Sequence, residues 1–270
     1  MTSEFAFIDA LSARVRAADG VVRGIGDDGA IVRFAAGEEC VISTDTLVAG
    51  VHFPLDAAPA DIGYKCAAVN LSDLAAMGAT PRFCTWALTM PSLDPGYVDP
   101  LLAGLFALLD SHQVALIGGD TTRGPMSMTL TAIGSLPAGS ALRRDGAGAG
   151  DAVYVSGTLG DAAAALALRG LRTGSYDGER NLARTRLQQR LARPTPRVAL
   201  GLALRGIASA CIDVSDGLAA DLGHICRASG LAAVLEADAL PASRALLTLI
   251  DAPAQRLNLQ LGGDDYELCF

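Results

Sequence analysis

The 270-residue sequence predicts two domains, with the first of α+β class and the whole of mixed α+β / α/β character. Three observations carry that expectation. Helical and strand-like stretches alternate in the first half without a strict βαβ rhythm, which disfavours a doubly wound sheet there. A Gly- and Ala-rich stretch, "PAGSALRRDGAGAGD", marks a boundary near residue 140, giving domains 1–140 and 141–270. Finally, "NLSDLAAMGA" and "GGDTT" are echoed later by "DVSDGLAADLG" and "GGDDY". Two halves built on related plans would produce that echo, as would chance in a chain rich in Ala, Gly and Leu.

The elements follow in order. "FAFIDALSARVRA" has helical spacing, and after the short "VVR" the stretches "AIVRF" and "ECVISTDTL" read as strands rich in Ile and Val. "DIGYKCAAVNLSDLAAMGA" is a long helix with Asp61 as its N-cap, followed by the strand "RFCTWALTM". "GYVDPLLAGLFALLDSH" is a further helix, interrupted near its start by Pro100. "VALIGG" and "MSMTLTAIGSL" are strands joined by a loop-like "GGDTTRGPM". Past the boundary "AVYVSG" and "ACIDVS" read as strands with Ala- and Leu-rich helices between them, and "YELCF" is strand-like.

Composition limits the function. A hydrophobic fraction of 51% against 19% charged residues describes a chain able to bury a core. The net charge of −8 excludes non-specific nucleic-acid binding but leaves room for a phosphorylated small molecule held through cations. No run of about 18 apolar residues is present. The N-terminus lacks a basic segment followed by an apolar core, which argues against a signal peptide and predicts a cytoplasmic protein. The six cysteines are scattered without a C-x-x-C and read as small buried hydrophobes, and the three histidines are too dispersed for a zinc signature.

Two glycine motifs fail on their context. Gly119 to Gly124 has P-loop glycine spacing, but Pro125 and Met126 stand where Lys and Ser/Thr are needed, and Lys65 is the chain's one lysine. "GIGDDGA" matches G-x-G-x-x-G, yet a strand-like stretch follows where a helix is required, and Asp27 and Asp28 would face a pyrophosphate.

The acids are more informative. Asp27 and Asp28 lie in a glycine turn, Asp45 at a strand end beside Ser43 and Thr44, and Asp73 three positions after Asn70 on one helix face. Asp120 follows Gly118 and Gly119, Asp213 and Asp216 flank Ser215, and Asp264 and Asp265 follow Gly262 and Gly263. Each alone reads as an Asx-turn or cap. Together they predict strand ends converging on one site of oxygen ligands, suited to Mg²⁺, Mn²⁺ or Ca²⁺, where crowded carboxylates are neutralised by divalent ions carrying a polyphosphate. Asp221 and His224 read as surface or structural residues, and Arg143 and Arg144 as linker charges or phosphate contacts.

The motifs "GDDGA", "STDTLVAGVHF", "DIGYKCAAVNLSDLAAMGA", "LIGGDTTRGP", "CIDVSDGLAADLGHI" and "GGDDYELCF" closely resemble the thiamine-monophosphate kinase family, of the aminoimidazole ribonucleotide synthetase-like superfamily, over nearly the whole chain. The resemblance implies a two-domain fold and a homodimer formed through the N-terminal sheets. It also implies ATP-dependent phosphorylation of thiamine monophosphate to thiamine diphosphate by direct transfer, with several Mg²⁺ ions. Asp27, Ser43, Thr44, Asp45, Asp73, Asp120, Asp213 and Asp216 match the family's Mg²⁺-binding positions. Gly119, Asp120, Arg144 and Ser215 match ATP contacts, and His52 and Asp264 match contacts to thiamine monophosphate, although Glu often stands where this chain has Asp264. The acceptor oxygen is already ionised at neutral pH, so no general base is assigned. Family members continue for some tens of residues past the position of Phe270, and that tail supplies an aromatic residue to the substrate ring. A selenophosphate synthetase would carry a reactive Cys near its N-terminus, whereas the first cysteine here is Cys40. An EF-hand would need its ligands in one 12-residue loop, and none appears.

Overall fold

Long strands and three helices build the first part of the chain, and short strands among many helices build the rest. The computed structural model describes residues 4–15, 17–169 and 178–270. Its contacts divide the chain into two units, Met1–Leu74 with Ala79–Ser140, and Ala75–Gly78 with Ala141–Phe270.

The first unit opens with α1 (Glu4–Arg14), and the remainder of the expected helix includes Arg16, outside the described residues. A hairpin follows, β1 (Val21–Arg23) antiparallel to β2 (Ile31–Val32). Then come β3 (Glu38–Val48), α2 (Pro59–Ala76), β4 (Thr80–Met90), α3 (Pro95–Ser111), β5 (Ala115–Arg123) and β6 (Ser127–Pro137). Strands β3 to β6 form one mixed sheet in the order β3-β6-β4-β5. β6 is antiparallel to both neighbours, while β4 and β5 run parallel, a pairing that needs the crossover α3 provides.

Alternation along the strands separates the two faces. Cys84, Trp86, Leu88 and Met90 of β4 and Met128, Leu130 and Ala132 of β6 are buried on one face. The other face carries Thr44 and Thr46, Thr129 and Thr131, and Thr85 and Thr89, none of them fully buried. At one end of that second face Val21, Val32 and Phe34 pack on Phe83, Ala115 and Ile117.

Three expectations for this unit change. "GGDTTRGPM" is strand rather than loop as far as Arg123, because β5 runs through both glycines beside β4. A Cβ on Gly119 would stand 1.9 Å from the Trp86 carbonyl oxygen, so strand packing accounts for this glycine. Asp61 is not the N-cap of α2: the helix begins at Pro59, and Asp61 lies in its first turn, where a carboxylate favours the helix dipole. Pro100 does not interrupt α3, which is capped earlier by Asp94 accepting from Gly96 N at 3.3 Å, with Pro95 opening the helix. Only the one backbone bond that Pro100 cannot donate is lost.

The second unit contains α4 (Asp161–Arg169), α5 (Gly178–Ala192), α6 (Val198–Leu204), β7 (Ile212–Val214), α7 (Leu218–Ser229), α8 (Arg244–Leu249), α9 (Pro253–Gln260) and β8 (Glu267–Cys269). β7 and β8 pair antiparallel. Val214, Leu218, Leu222, Ile225 and Cys269 form one core, and Ala164, Ala165, Leu187, Leu246 and Leu249 another. "AVYVSG" is not a full strand. Val155 makes a single bridge to Cys269, flanked by an exchange of bonds between Tyr154 and Phe270 at 2.8 and 2.9 Å.

Candidate functional site

In the first unit β3 and α2 bring three sequence-predicted residues together. Ser43 and Asp45 project from one side of β3, and Ser43 Oγ donates to Asp73 Oδ2 of α2 at 2.5 Å. Asn70, one helical turn before Asp73, is fully buried. Its Oδ1 accepts from Asp45 N at 3.1 Å, and its Nδ2 donates to the Cys66 carbonyl at 2.9 Å. β3 is an edge strand whose outer N–H groups need partners, and Asn70 supplies one while fixing the register of helix against strand. Asp45 therefore lies inside β3, not at its end, since the strand continues to Val48. Burial raises the Asp45 carboxyl above its ordinary value, and the nearby His52 partly opposes this. His52 is exposed on the following turn, its Nδ1 accepting from Val48 N at 3.0 Å.

The other first-unit candidates lie apart from this pair. Thr44 points to the opposite face, where its hydroxyl donates to Thr131 Oγ1 at 2.9 Å, so its side chain does not join Asp45. Asp120 shares that opposite face, in register with Ala87, Thr129 and Thr46, but on the far edge of the sheet. Asp27 pairs with Arg23 at 3.1 Å in an exposed turn, and its Oδ1 accepts from Asp28 N at 3.0 Å.

In the second unit the candidates sit on two loops joined by backbone. Asp213 is buried in β7, Ser215 and the exposed Asp216 follow it, and Asp264 precedes β8. Asp264 N donates to the Ser215 carbonyl and Tyr266 N to the Val214 carbonyl, each at 2.8 Å. Asp221 is structural, as expected: buried at the start of α7, its Oδ2 accepts from Asp216 N and Gly217 N at 3.0 Å each. Arg143 is committed to Asp145, with Nε donating at 2.8 Å, while the Arg144 side chain is exposed.

Sequence reasoning missed a buried charge network behind these loops. Glu267 is fully buried, and Arg197 bonds it through Nε at 2.6 Å and Nη2 at 2.5 Å. Arg190 Nη2 adds a contact at 2.7 Å and Ser156 Oγ another at 2.6 Å. Asp265, which the sequence leaves equivalent to Asp264, is buried, and burial pushes its carboxyl up to about 7 against the backbone N–H groups it faces. The available signal was Glu267 itself, an acid in the apolar strand "YELCF", which demands buried partners.

Within each unit the described carboxylates do not gather into a single cluster. Among the described residues no three His, Cys, Asp or Glu side chains are grouped closely enough to hold a metal ion. In the first unit Asp45 and Asp120 stand on opposite edges of the sheet. The donors nevertheless suit Mg²⁺ in kind: Ser43, Asp45 and Asp73 offer only oxygen. Mg²⁺ ordinarily takes one or two carboxylates with waters and substrate phosphates, not a complete protein cage.

Comparison with known proteins matches residues 26–136 to AIR synthase related protein, N-terminal domain, and residues 148–258 to AIR synthase related protein, C-terminal domain. The thiamine-monophosphate kinase of Salmonella typhimurium is 52% identical over 99% of this chain and 82% of its own length, and that of Escherichia coli K12 is 49% identical with the same coverage. The crystal structure of thiamine-monophosphate kinase from Stenotrophomonas maltophilia superposes with a TM-score of 0.90 at 50% identity, covering 100% of this chain and 85% of that one. A structure of AaThiL complexed with AMPPCP and TMP superposes with a TM-score of 0.79 at 30% identity, covering 99% and 84%. With both domain matches in order and half its residues identical to those relatives over nearly its full length, the chain belongs to the thiamine-monophosphate kinase family.

Proposed function

We propose that this protein transfers the γ-phosphoryl group of ATP directly to the phosphate of thiamine monophosphate, giving thiamine diphosphate and ADP, with Mg²⁺ as cofactor. The observation that carries this reading is the Ser43–Asp73 hydrogen bond beside Asp45, an oxygen-only cluster locked by Asn70 in a member of this family. Donor and acceptor are both anions, so the protein's task is to position them and neutralise their charge in a loose transition state. Bound Mg²⁺ would supply that neutralisation in place of the absent P-loop lysine. Asp27, Ser43, Thr44, Asp45, Asp73, Asp120, Asp213 and Asp216 are the proposed metal-holding residues. Gly119, Asp120, Arg144 and Ser215 are assigned to ATP, and His52 and Asp264 to thiamine monophosphate. Thr44 is assigned through its main chain, since its hydroxyl faces Thr131. No side chain is assigned as general base, because the attacking phosphate oxygen is already deprotonated.

The reading includes a homodimer. Thr44 and Asp120 share one face of the sheet but lie on its opposite edges, β3 and β5, which are three strand spacings or about 14 Å apart. A second copy placing its β5 beside β3 would bring an aspartate equivalent to Asp120 next to Thr44 and cover the threonine-rich face. No described helix is long and apolar enough to cross a membrane, and we place the protein in the cytoplasm.

The test is an assay of ADP release with thiamine monophosphate, ATP and Mg²⁺. We expect turnover that stops on chelation with EDTA. No ADP with thiamine monophosphate, together with turnover on formylglycinamidine ribonucleotide, would overturn the proposal.

A further inference from the structure

Asp264 and Tyr266 adopt φ of 69° and 51°, in the left-handed region that residues with side chains avoid. Such a turn persists only when its surroundings over-determine it. The residue between them does much of this. Asp265 is 1% exposed and points away from the loop surface, into the start of α4. Its Oδ2 accepts from Gly160 N at 2.7 Å and its Oδ1 from Ala162 N at 3.5 Å. These N–H groups have no partner within the helix, and the helix dipole favours a carboxylate there. The Asp265 carbonyl also accepts from Arg190 Nη2 at 3.4 Å, which ties the turn to the Glu267 network.

The turn is in turn clasped to the Ser215 loop. A Cβ on Gly263 would stand 2.3 Å from the Ser215 carbonyl oxygen, and one on Gly217 would stand 2.1 Å from that of Leu261, so only hydrogen fits at either place. The Ser215 loop has an anchor of its own, Asp221, at the start of α7. Two buried aspartates thus hold two loops, each from a different helix start.

We propose that Asp265 is a positioning residue for thiamine monophosphate: through the start of α4 it imposes the left-handed backbone that aims Asp264. This rests on the assignment of Asp264 to that substrate. Without the anchor, the turn relaxes to ordinary φ and the Asp264 carboxylate leaves its place. Asp221 continues to hold the Ser215 loop, so the ATP contacts there are spared.

The test is steady-state kinetics with both substrates varied for the wild type, Asp265→Ala, Asp265→Asn and Asp221→Ala. We expect Asp265→Ala to raise KM for thiamine monophosphate by about tenfold or more, the scale of a small misplacement of a contacting group, with KM for ATP within about threefold. Asp265→Asn keeps one acceptor oxygen and should fall between it and the wild type. Asp221→Ala should shift the burden to KM for ATP. Equal changes in both KM values for Asp265→Ala, or unchanged KM values with only a smaller active fraction, would overturn the inference. If Asp265→Ala does not fold, Asp265→Asn decides: a selective rise in KM for thiamine monophosphate supports the inference, and unmoved KM values refute it. A wild type that does not turn over thiamine monophosphate defeats the functional reading itself, which separates the two failures.

Discussion

In the first unit two of the candidate acids are joined on regular elements: Asp45 on an eleven-residue strand and Asp73 on an eighteen-residue helix, through Ser43 and Asn70. In the second, Asp213 lies on a three-residue strand while Asp216 and Asp264 lie on short loops that carry left-handed residues and depend on buried aspartates and an Arg–Glu network. One half obtains its geometry from secondary structure, where register alone aligns the donors. The other obtains it from tertiary bonds to a strained backbone, where each anchor can fail separately. The first arrangement should therefore tolerate the loss of a supporting residue, and the second should not.

The largest expected effect falls on the acids themselves. Asp45→Asn and Asp213→Asn should each lower turnover by about 10²-fold or more, as for lost charge stabilisation in a transition state, while leaving the far-ultraviolet spectrum unchanged. Near-normal rates in both would dissolve the comparison, since neither half would then hold the chemistry.

Next is the network behind the second half. Glu267→Ala leaves Arg190 and Arg197 without their shared carboxylate and should cost about 3 kcal/mol, the lower end for breaking a buried pair, because both arginines keep some contact with water. Denaturant unfolding monitored by hydrogen exchange should show the loss in residues 141–270. A change below about 1 kcal/mol would show that the loops need no such support.

A smaller effect is expected from Asn70→Ala in the first half. It removes the side-chain acceptor of the Asp45 backbone N–H at the edge of β3 and should cost about 1–2 kcal/mol, with turnover reduced far less than in Asp45→Asn. If it abolishes activity as fully as Asp45→Asn, regular structure is not what holds that half.

The smallest effect concerns the thiols. Cys40 is exposed in one copy but shares the β3 face with Thr44 that the proposed second copy would cover, so iodoacetamide should label it only when the dimer dissociates. Cys66, buried and pushed up to about 12, should react only on unfolding. Rapid labelling of Cys66 would reveal opening of α2 over the sheet.

Much of the first half was legible in the sequence because its chemistry follows periodicity. The i, i+3 spacing of Asn70 and Asp73 places both on one helix face, and the alternation of β3 puts Ser43 and Asp45 on one side of the strand. The same alternation sends Thr44 to the other face, a consequence hidden by treating neighbouring residues as one cluster. The motif around Asp120 misled because glycines signal loops, whereas Gly119 is required by the approach of β5 to the Trp86 backbone. In the second half, Asp264 and Asp265 are adjacent and chemically identical. Only the positive φ of Asp264 and the burial of Asp265 separate a candidate substrate contact from its anchor, and neither property is written in local composition. The Arg190–Glu267 and Arg197–Glu267 pairs join positions far apart in the chain, beyond the reach of any pattern of spacing.

The most direct test of direct phosphoryl transfer is to supply thiamine monophosphate and Mg²⁺ with ATP labelled by ¹⁸O on its γ-phosphoryl group, and to analyse the products by mass spectrometry. Thiamine diphosphate carrying the label in its terminal phosphate is expected, in a one-to-one ratio with ADP. Label appearing in free phosphate, with no labelled thiamine diphosphate formed, would contradict it.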